Sequence, residues 1–149
     1  MSDFSFTDRF DHISGENGMR LELIEKYPGD EVLIPFYYYE IFVGGQAVGA
    51  ISVRIGDNYH SYYNGHIGYE IEEPFQGHRY SLAALQLVLP VARFHGMTRI
   101  YLTCDASNTA SRKIIEAAGG RFLEICPIPR DWFAWYEGIE DHRIYQLDL

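Results

Sequence analysis

The chain has 149 residues, 47% hydrophobic and 22% charged, with a net charge of −9. That balance suits one folded domain over residues 1–149 with its own core, and excludes a disordered or low-complexity chain. The surplus of acid argues against a nucleic-acid partner, whose binding rests on Lys and Arg neutralising phosphates, and suits a cationic or neutral acceptor better. No apolar run reaches the ~18 residues of a membrane-spanning helix, so no membrane partner is expected. The start, MSDFSFTDRFDH, lacks the basic-then-apolar order of a signal peptide. Cys104 and Cys126 lie in apolar β-type runs and make neither a disulfide framework nor a zinc site, so a cytoplasmic protein is expected.

Residues 1–18 carry no clear pattern. Met19–Tyr27 alternates loosely and predicts a strand, closed by the turn Pro28-Gly29-Asp30. Phe36–Val43 is aromatic and β-branched, a second strand; Gly44-Gly45 turns it into a third, Gln46–Ile55. Asp57–Gly65 is a polar, Tyr-rich loop. His66–Glu73 is a fourth strand, stopped by Pro74. The period then becomes helical. Leu82, Leu85, Leu89 and Ala92 predict a helix over Tyr80–His95, apolar nearly all round and kinked or loosened by Pro90. Arg99–Cys104 is a strand, and Asn108 caps a helix running to about Gly119. Arg121–Cys126 and His142–Leu149 are the last strands, joined by an aromatic loop holding Trp132, Phe133, Trp135 and Tyr136. The pattern is an α/β (α+β) domain: a mixed, mostly antiparallel sheet of seven strands with helices packed on it.

The chemistry concentrates at Glu72–Ser81, where a strand leads into a helix N-terminus. Such a junction offers unpaired backbone N–H groups and the positive end of a helix dipole to an anion. Gly77 allows close approach of the backbone, and His78 and Arg79 add positive charge. No Gly-Lys-Ser/Thr follows, so this is not a nucleotide P-loop, and the further glycines of a dinucleotide fingerprint are missing. Across the chain, histidines and carboxylates show no metal-ligand spacing, and no metal is expected.

Two stretches resemble the GNAT superfamily of N-acetyltransferases. GYEIEEPFQGHRYS (Gly68–Ser81) is similar to its acetyl-CoA loop, and RIYLTCDASNTASRKIIEAAGG (Arg99–Gly120) to the strand and helix that follow. Both stand in the right order, one helix apart. The likeness is greatest to a branch of predicted bacterial acetyltransferases with HIGYEI-like and TCDxxNxxS-like stretches. The resemblance implies acetyl-CoA as co-substrate. Backbone near Ile71 and Glu73 would pair with pantetheine, and an N–H near Ile71-Glu72 would meet the oxyanion. Gln76, Gly77, His78, Arg79, Tyr80 and Ser81 would hold the pyrophosphate, with Asn108 and Ser111 beside the pantetheine. It implies transfer of acetyl to a primary amine of a small molecule or peptide, by a monomer or homodimer. Glu72, then Glu70, are the candidate bases for an amine that must be neutral to attack. By strand alternation these two share a face and Glu73 points opposite.

Three departures from the family pattern stand out. Arg79 occupies a position that is commonly Gly; it suits ordinary helical angles and would clash if the loop required a positive φ. Ile115 replaces the Tyr that commonly protonates the leaving thiolate, leaving Tyr136 or Tyr145 as substitutes. The segment between Tyr27 and Phe36 is too short for the helix pair that walls the acceptor site in relatives, so that side is open, or closed by Pro127–Tyr136 or a partner subunit. Aromatic residues there suit a cationic acceptor or simply pack over the sheet. The loss at Ile115 also allows a different class of function, a catalytically silent CoA-binding sensor or scaffold.

Overall fold

Alternating apolar residues in the first half build a meander. In the computed structural model, which describes residues 4–149, β1 (His12–Ser14), β2 (Met19–Tyr27), β3 (Phe36–Val43), β4 (Gln46–Arg54) and β5 (Ile67–Ile71) form one sheet, each antiparallel to the next. The pleat sends Tyr37, Tyr39 and Ile41 of β3 and Ile51 and Val53 of β4 to one face, where all five are fully buried. A one-turn helix, α1 (Ser61–Asn64), precedes β5. The second sheet holds β6 (Arg99–Asp105), β7 (Arg121–Cys126) and β8 (His142–Asp148), with β8 in the middle.

Two helices cover the buried face. α2 (Tyr80–Phe94) packs on β4 and β5 through Ala84, Leu85, Val88, Val91 and Ala92. α3 (Thr109–Ala117) packs on β6 and α2, and buries Ile115. Burial of each such aliphatic side chain stabilises by about 1.5–3 kcal/mol, so this shared core is what holds the two sheets together. The opposite face of the five-stranded sheet is free of both long helices; among the described residues only the one-turn α1 borders it.

All seven expected strands are present, with bounds within two residues, but they form two sheets. The eighth, β1, lies in the segment whose sequence shows no pattern; three residues are too few for a period to register. The strand expected over His66–Glu73 is shorter. Pro74 lies in a 3-10 turn over Glu73–Phe75, and Glu72 has already left the ladder as the residue that caps this turn. α2 is not apolar all round: Gln86, Arg93 and Phe94 are exposed, and one face stays in solvent. Pro90 does not break it. The residue lies on the exposed side, where water can take the carbonyl that a proline leaves unpaired.

Candidate active site

β5 and β6 lie side by side without pairing, and one residue joins them. The His66 N–H donates to the Tyr101 carbonyl (2.8 Å), and the Tyr101 N–H donates back to His66 Nδ1 (2.9 Å). His66 Nε2–H faces the Gly56 carbonyl (2.9 Å) and Asp57 (3.1 Å), and Asp57 in turn holds Arg99 at 3.0 Å. The ring is fully buried, and that burial pulls its pKa below the ordinary value despite the carboxylate. Beyond this joint the two sheets separate into a cleft. A narrow void of about 20 Å³ remains between Ile67, Tyr69, Leu102, Thr103 and the α2 and α3 side chains Leu85 and Ile115.

The ladder decides which backbone groups face the cleft. Arg54 N–H donates to His66 O, and Glu72 N–H donates to Val48 O at 2.9 Å, so the even-numbered residues of β5 bond to β4. In an antiparallel pair the alternate residues turn the other way, which aims the amides of Ile67, Tyr69 and Ile71 at β6. The oxyanion position inferred at Ile71-Glu72 is therefore narrowed: the Glu72 amide is committed to β4. The Ile71 carbonyl accepts from Gln76 Nε2 at 2.9 Å, which ties the start of the loop back to the strand.

Gln76, Gly77, His78 and Arg79 are exposed at the mouth of this cleft, immediately before α2. Gly77 has φ +90° and open space where a Cβ would stand. Arg79 is the cap residue of α2, with φ 60° and ψ 27°. The loop thus requires the left-handed region at the position where Arg replaces the common Gly, contrary to ordinary helical angles there. No side chain caps the helix, so its first N–H groups stay open toward the cleft mouth. The His78 and Tyr80 rings stack at 5.3 Å. Asn108 Oδ1 accepts from the Ser111 N–H (3.0 Å) as the cap of α3.

The Ser111 hydroxyl meets the Tyr69 hydroxyl at 2.7 Å, a bridge from α3 to β5. Burial raises the Tyr69 pKa, so the phenol keeps its proton at neutral pH. Sequence reasoning missed Tyr69. Its signal is its register: it is an inward-facing residue of the strand whose neighbours were singled out. The substitutes considered for a proton donor are elsewhere. Tyr145 is buried and donates to Glu116 (2.9 Å), and Tyr136 is exposed on the aromatic loop. Glu70 is exposed on the helix-free face, opposite Ala50. Glu72 and Glu73 are exposed beyond the end of β5 and no longer obey strand alternation.

The face away from α2 and α3 carries a cavity of about 380 Å³, between the β2–β3 connection, α1 and the aromatic loop. Only Phe133 of that loop lines it. Trp132 is buried against His142, and Arg130 already covers Trp135 at 4.8 Å, so neither indole is free to cage a cationic acceptor. No cluster of His, Cys, Asp or Glu suited to a metal occurs among the described residues.

Residues 11–121 match the family model of the acetyltransferase (GNAT) domain. No curated protein sequence matches the chain significantly. Among solved structures, the fold is similar to an acetyltransferase from Salmonella typhimurium that modifies the N-terminal serine of ribosomal protein L7/L12, at TM-score 0.60 and 22% identity. That match covers 76% of this chain and 64% of the other. The microcin C7 self-immunity acetyltransferase MccE, solved with acetyl-CoA and AMP, gives 0.60 and 19%, over 76% and 61%. A Vibrio cholerae protein proposed to be a ribosomal-protein-serine acetyltransferase gives 0.65 and 15%, over 93% and 97%. The chain spans just under two thirds of the length of the Salmonella and MccE proteins.

Proposed function

We propose that this chain, which belongs to the GNAT acetyltransferase domain family, transfers an acyl group, in the first instance acetyl, from its CoA thioester to a primary amine. The observation that carries the reading is the unpaired lane between β5 and β6, lined by the amides of Ile67, Tyr69 and Ile71 and opening on the loop Gln76–Ser81. These residues fit the group. Extended amides suit the peptide-like pantetheine arm, and the open space at Gly77 together with the first N–H groups of α2 suits a pyrophosphate. The thioester supplies the activated acyl carbon; the chain supplies position, charge and proton management.

In this reading the Tyr69 and Ile71 amides hold the acyl carbonyl oxygen as negative charge develops on it. Asn108 orders the turn that presents Ser111, and the Tyr69–Ser111 hydroxyl pair stands on the helix side of the lane, ready to give a proton to the departing sulfur. The amine arrives from the helix-free face. There Glu70 is better placed than Glu72 to take the amine's proton, since it sits two residues, about 7 Å, along β5 from Gly68 on the same face.

The test measures free CoA released from acetyl-CoA with a panel of primary amines, for the wild type, Glu70→Gln and Glu72→Gln. Loss of a general base costs about 10²–10⁴-fold, shrinking as pH rises and the free amine deprotonates itself. Glu70→Gln is expected to show that pattern. A CoA-induced rise in melting temperature without amine-dependent CoA release by the wild type would mark a CoA-binding module instead.

A further inference from the structure

The helix-free cavity holds a cation without a counter-charge. Arg54, at the end of β4, lays its guanidinium across β5 above Gly68: a Cβ on Gly68 would meet Arg54 Nη2 at 2.5 Å and Ser52 Oγ at 3.3 Å. Glycine is what makes room for it. Nη1 donates to the carbonyls of Asn64 (3.2 Å) and Gly65 (2.9 Å), at the end of α1. That leaves Nη2 and Nε without a protein acceptor, and no carboxylate among the described residues forms an ion pair with Arg54. Withdrawal from water pulls its pKa down to about 10, so it stays charged at neutral pH. Ser52 is buried as a residue, yet its hydroxyl makes no hydrogen bond among the described residues, and it lines the same cavity. Tyr38 lies beside Ser52 in register and lines it too. The cavity's one acid, Glu25, is two strands from β4, about 10 Å away.

Arg54 is half-buried at the cavity wall, and a charge that is partly desolvated with no carboxylate beside it favours an anion there. Resting on the acyl-transfer reading above, we propose that Arg54, with Ser52, binds a carboxylate of the acceptor, so that the acceptor is a small amino-carboxylate. The geometry makes the two roles compatible. Gly68 lies between Ile67 and Tyr69, whose amides face the lane, so a carboxylate on Arg54 is one strand spacing, about 5 Å, from the acyl carbon's lane. In an α-amino acid the amine is two bonds, about 2.5 Å, from the carboxylate carbon, and an attack distance of about 3 Å covers the rest of that gap. Val32, Leu33, Ile34, Phe36 and Phe133 give the remaining wall an apolar part that suits an uncharged, bulky side chain, beside the polar Asn58, His60 and Asn64. A peptide N-terminus has an amide in place of the α-carboxylate, and a polyamine would be repelled.

The experiment is calorimetric binding of L-phenylalanine, 3-phenylpropanoate and 2-phenylethylamine to the full chain, with and without CoA, followed by acetylation rates for L-phenylalanine and 2-phenylethylamine. The two carboxylates are expected to bind at least 10-fold more tightly than the amine. Arg54→Gln is expected to bring all three to the same weak level and to cut kcat/KM for L-phenylalanine about 10- to 100-fold, with partial rescue in Arg54→Lys. A CoA-induced melting shift in each variant shows that the fold survives. If Arg54→Gln does not fold, the wild-type preference for carboxylates decides alone. Equal binding of the amine, or no binding of any of the three at millimolar concentration, overturns the proposal. Carboxylate binding intact in a protein that ignores CoA would instead overturn the acyl-transfer reading and leave the Arg54 site standing.

Discussion

Replacing Arg79 with Gly separates two effects that the loop combines. At φ 60° and ψ 27° Arg79 sits in the left-handed region, where a side chain costs about 1–2 kcal/mol. Glycine removes that strain but loosens the unfolded chain by about 0.5–1 kcal/mol. The apo protein should therefore gain from nothing to about 1.5 kcal/mol, or up to ~6 °C in melting temperature for a domain of this size. CoA binding should move the other way. The exposed guanidinium stands at a helix start that faces the pyrophosphate in the proposed mode, and one such exposed charge contact contributes about 1 kcal/mol, or roughly fivefold in Kd. Arg79→Ala is the control, since it loses the charge and keeps the strain. Thermal melts and CoA titrations at two salt concentrations read both effects. Arg79→Gly that binds CoA as tightly as wild type, with the same salt dependence, would remove Arg79 from the site. A lower apo melting temperature would refute the strain argument.

Gly77→Val should weaken CoA binding in a folded protein, because a β-branched residue resists φ +90°; unchanged CoA affinity by calorimetry would exclude the loop. Tyr69→Phe should lower kcat with little change in the KM for acetyl-CoA, since it removes one hydroxyl of the pair with Ser111 and none of the backbone contacts; steady-state kinetics decide. His66 should make the fold acid-sensitive. Its folded pKa lies below the ordinary value, so under acid the unfolded chain takes up a proton that the folded ring refuses. The stability it contributes is present above about pH 6.5 and declines as pH falls below that, and His95, lowered by burial too, adds the same sign. Melting temperature from pH 7.5 to 5.5 should fall, and fall less steeply in His66→Gln.

Much of this molecule is legible in its sequence because the strands obey simple periods. Phe36–Val43 is aromatic and β-branched enough to read as a strand, though only the structure shows which of its tyrosines point inward, and Asn108 caps α3 as its residue type and position suggest. What was not legible depends on pairing. Whether β5 bonds to β6 is decided by His66, whose imidazole takes the Tyr101 amide, and nothing local marks a histidine as a joint. Which amides face the cleft depends on whether odd or even residues bond to β4, a register that one chain's pattern does not encode. The amphipathic face of α2 was misread because Gln86 and Arg93 are few among many apolar residues. The left-handed Arg79 was the reverse case: the family position gave the question and only the backbone gave the answer.

The two faces of the first sheet divide the proposed labour. On one, α2 and α3 close a hydrophobic core and carry the groups that would hold CoA, including the loop and the Tyr69–Ser111 pair. On the other, the connection from β2 to β3 is only residues 28–35, with no helix, and the wall of the cavity is assembled from remote pieces instead. Tyr59 donates to Asp131 (2.8 Å) and the Phe133 amide donates to His60 Nδ1 (3.3 Å), lashing the α1 segment to the aromatic loop. Both links are exposed, and bonds of that kind contribute about 1 kcal/mol each, far less than the core beneath. In the proposed mode the thioester lies against the packed core, and the acceptor enters where the wall is built from the β2–β3 connection, α1 and the aromatic loop. Arg54 spans the boundary: its backbone belongs to the rigid sheet, while its Nη1 bonds hold the end of α1. A ligand bound to that guanidinium would be held by the sheet and bordered by this wall, which would position a small amine without a dedicated pair of helices.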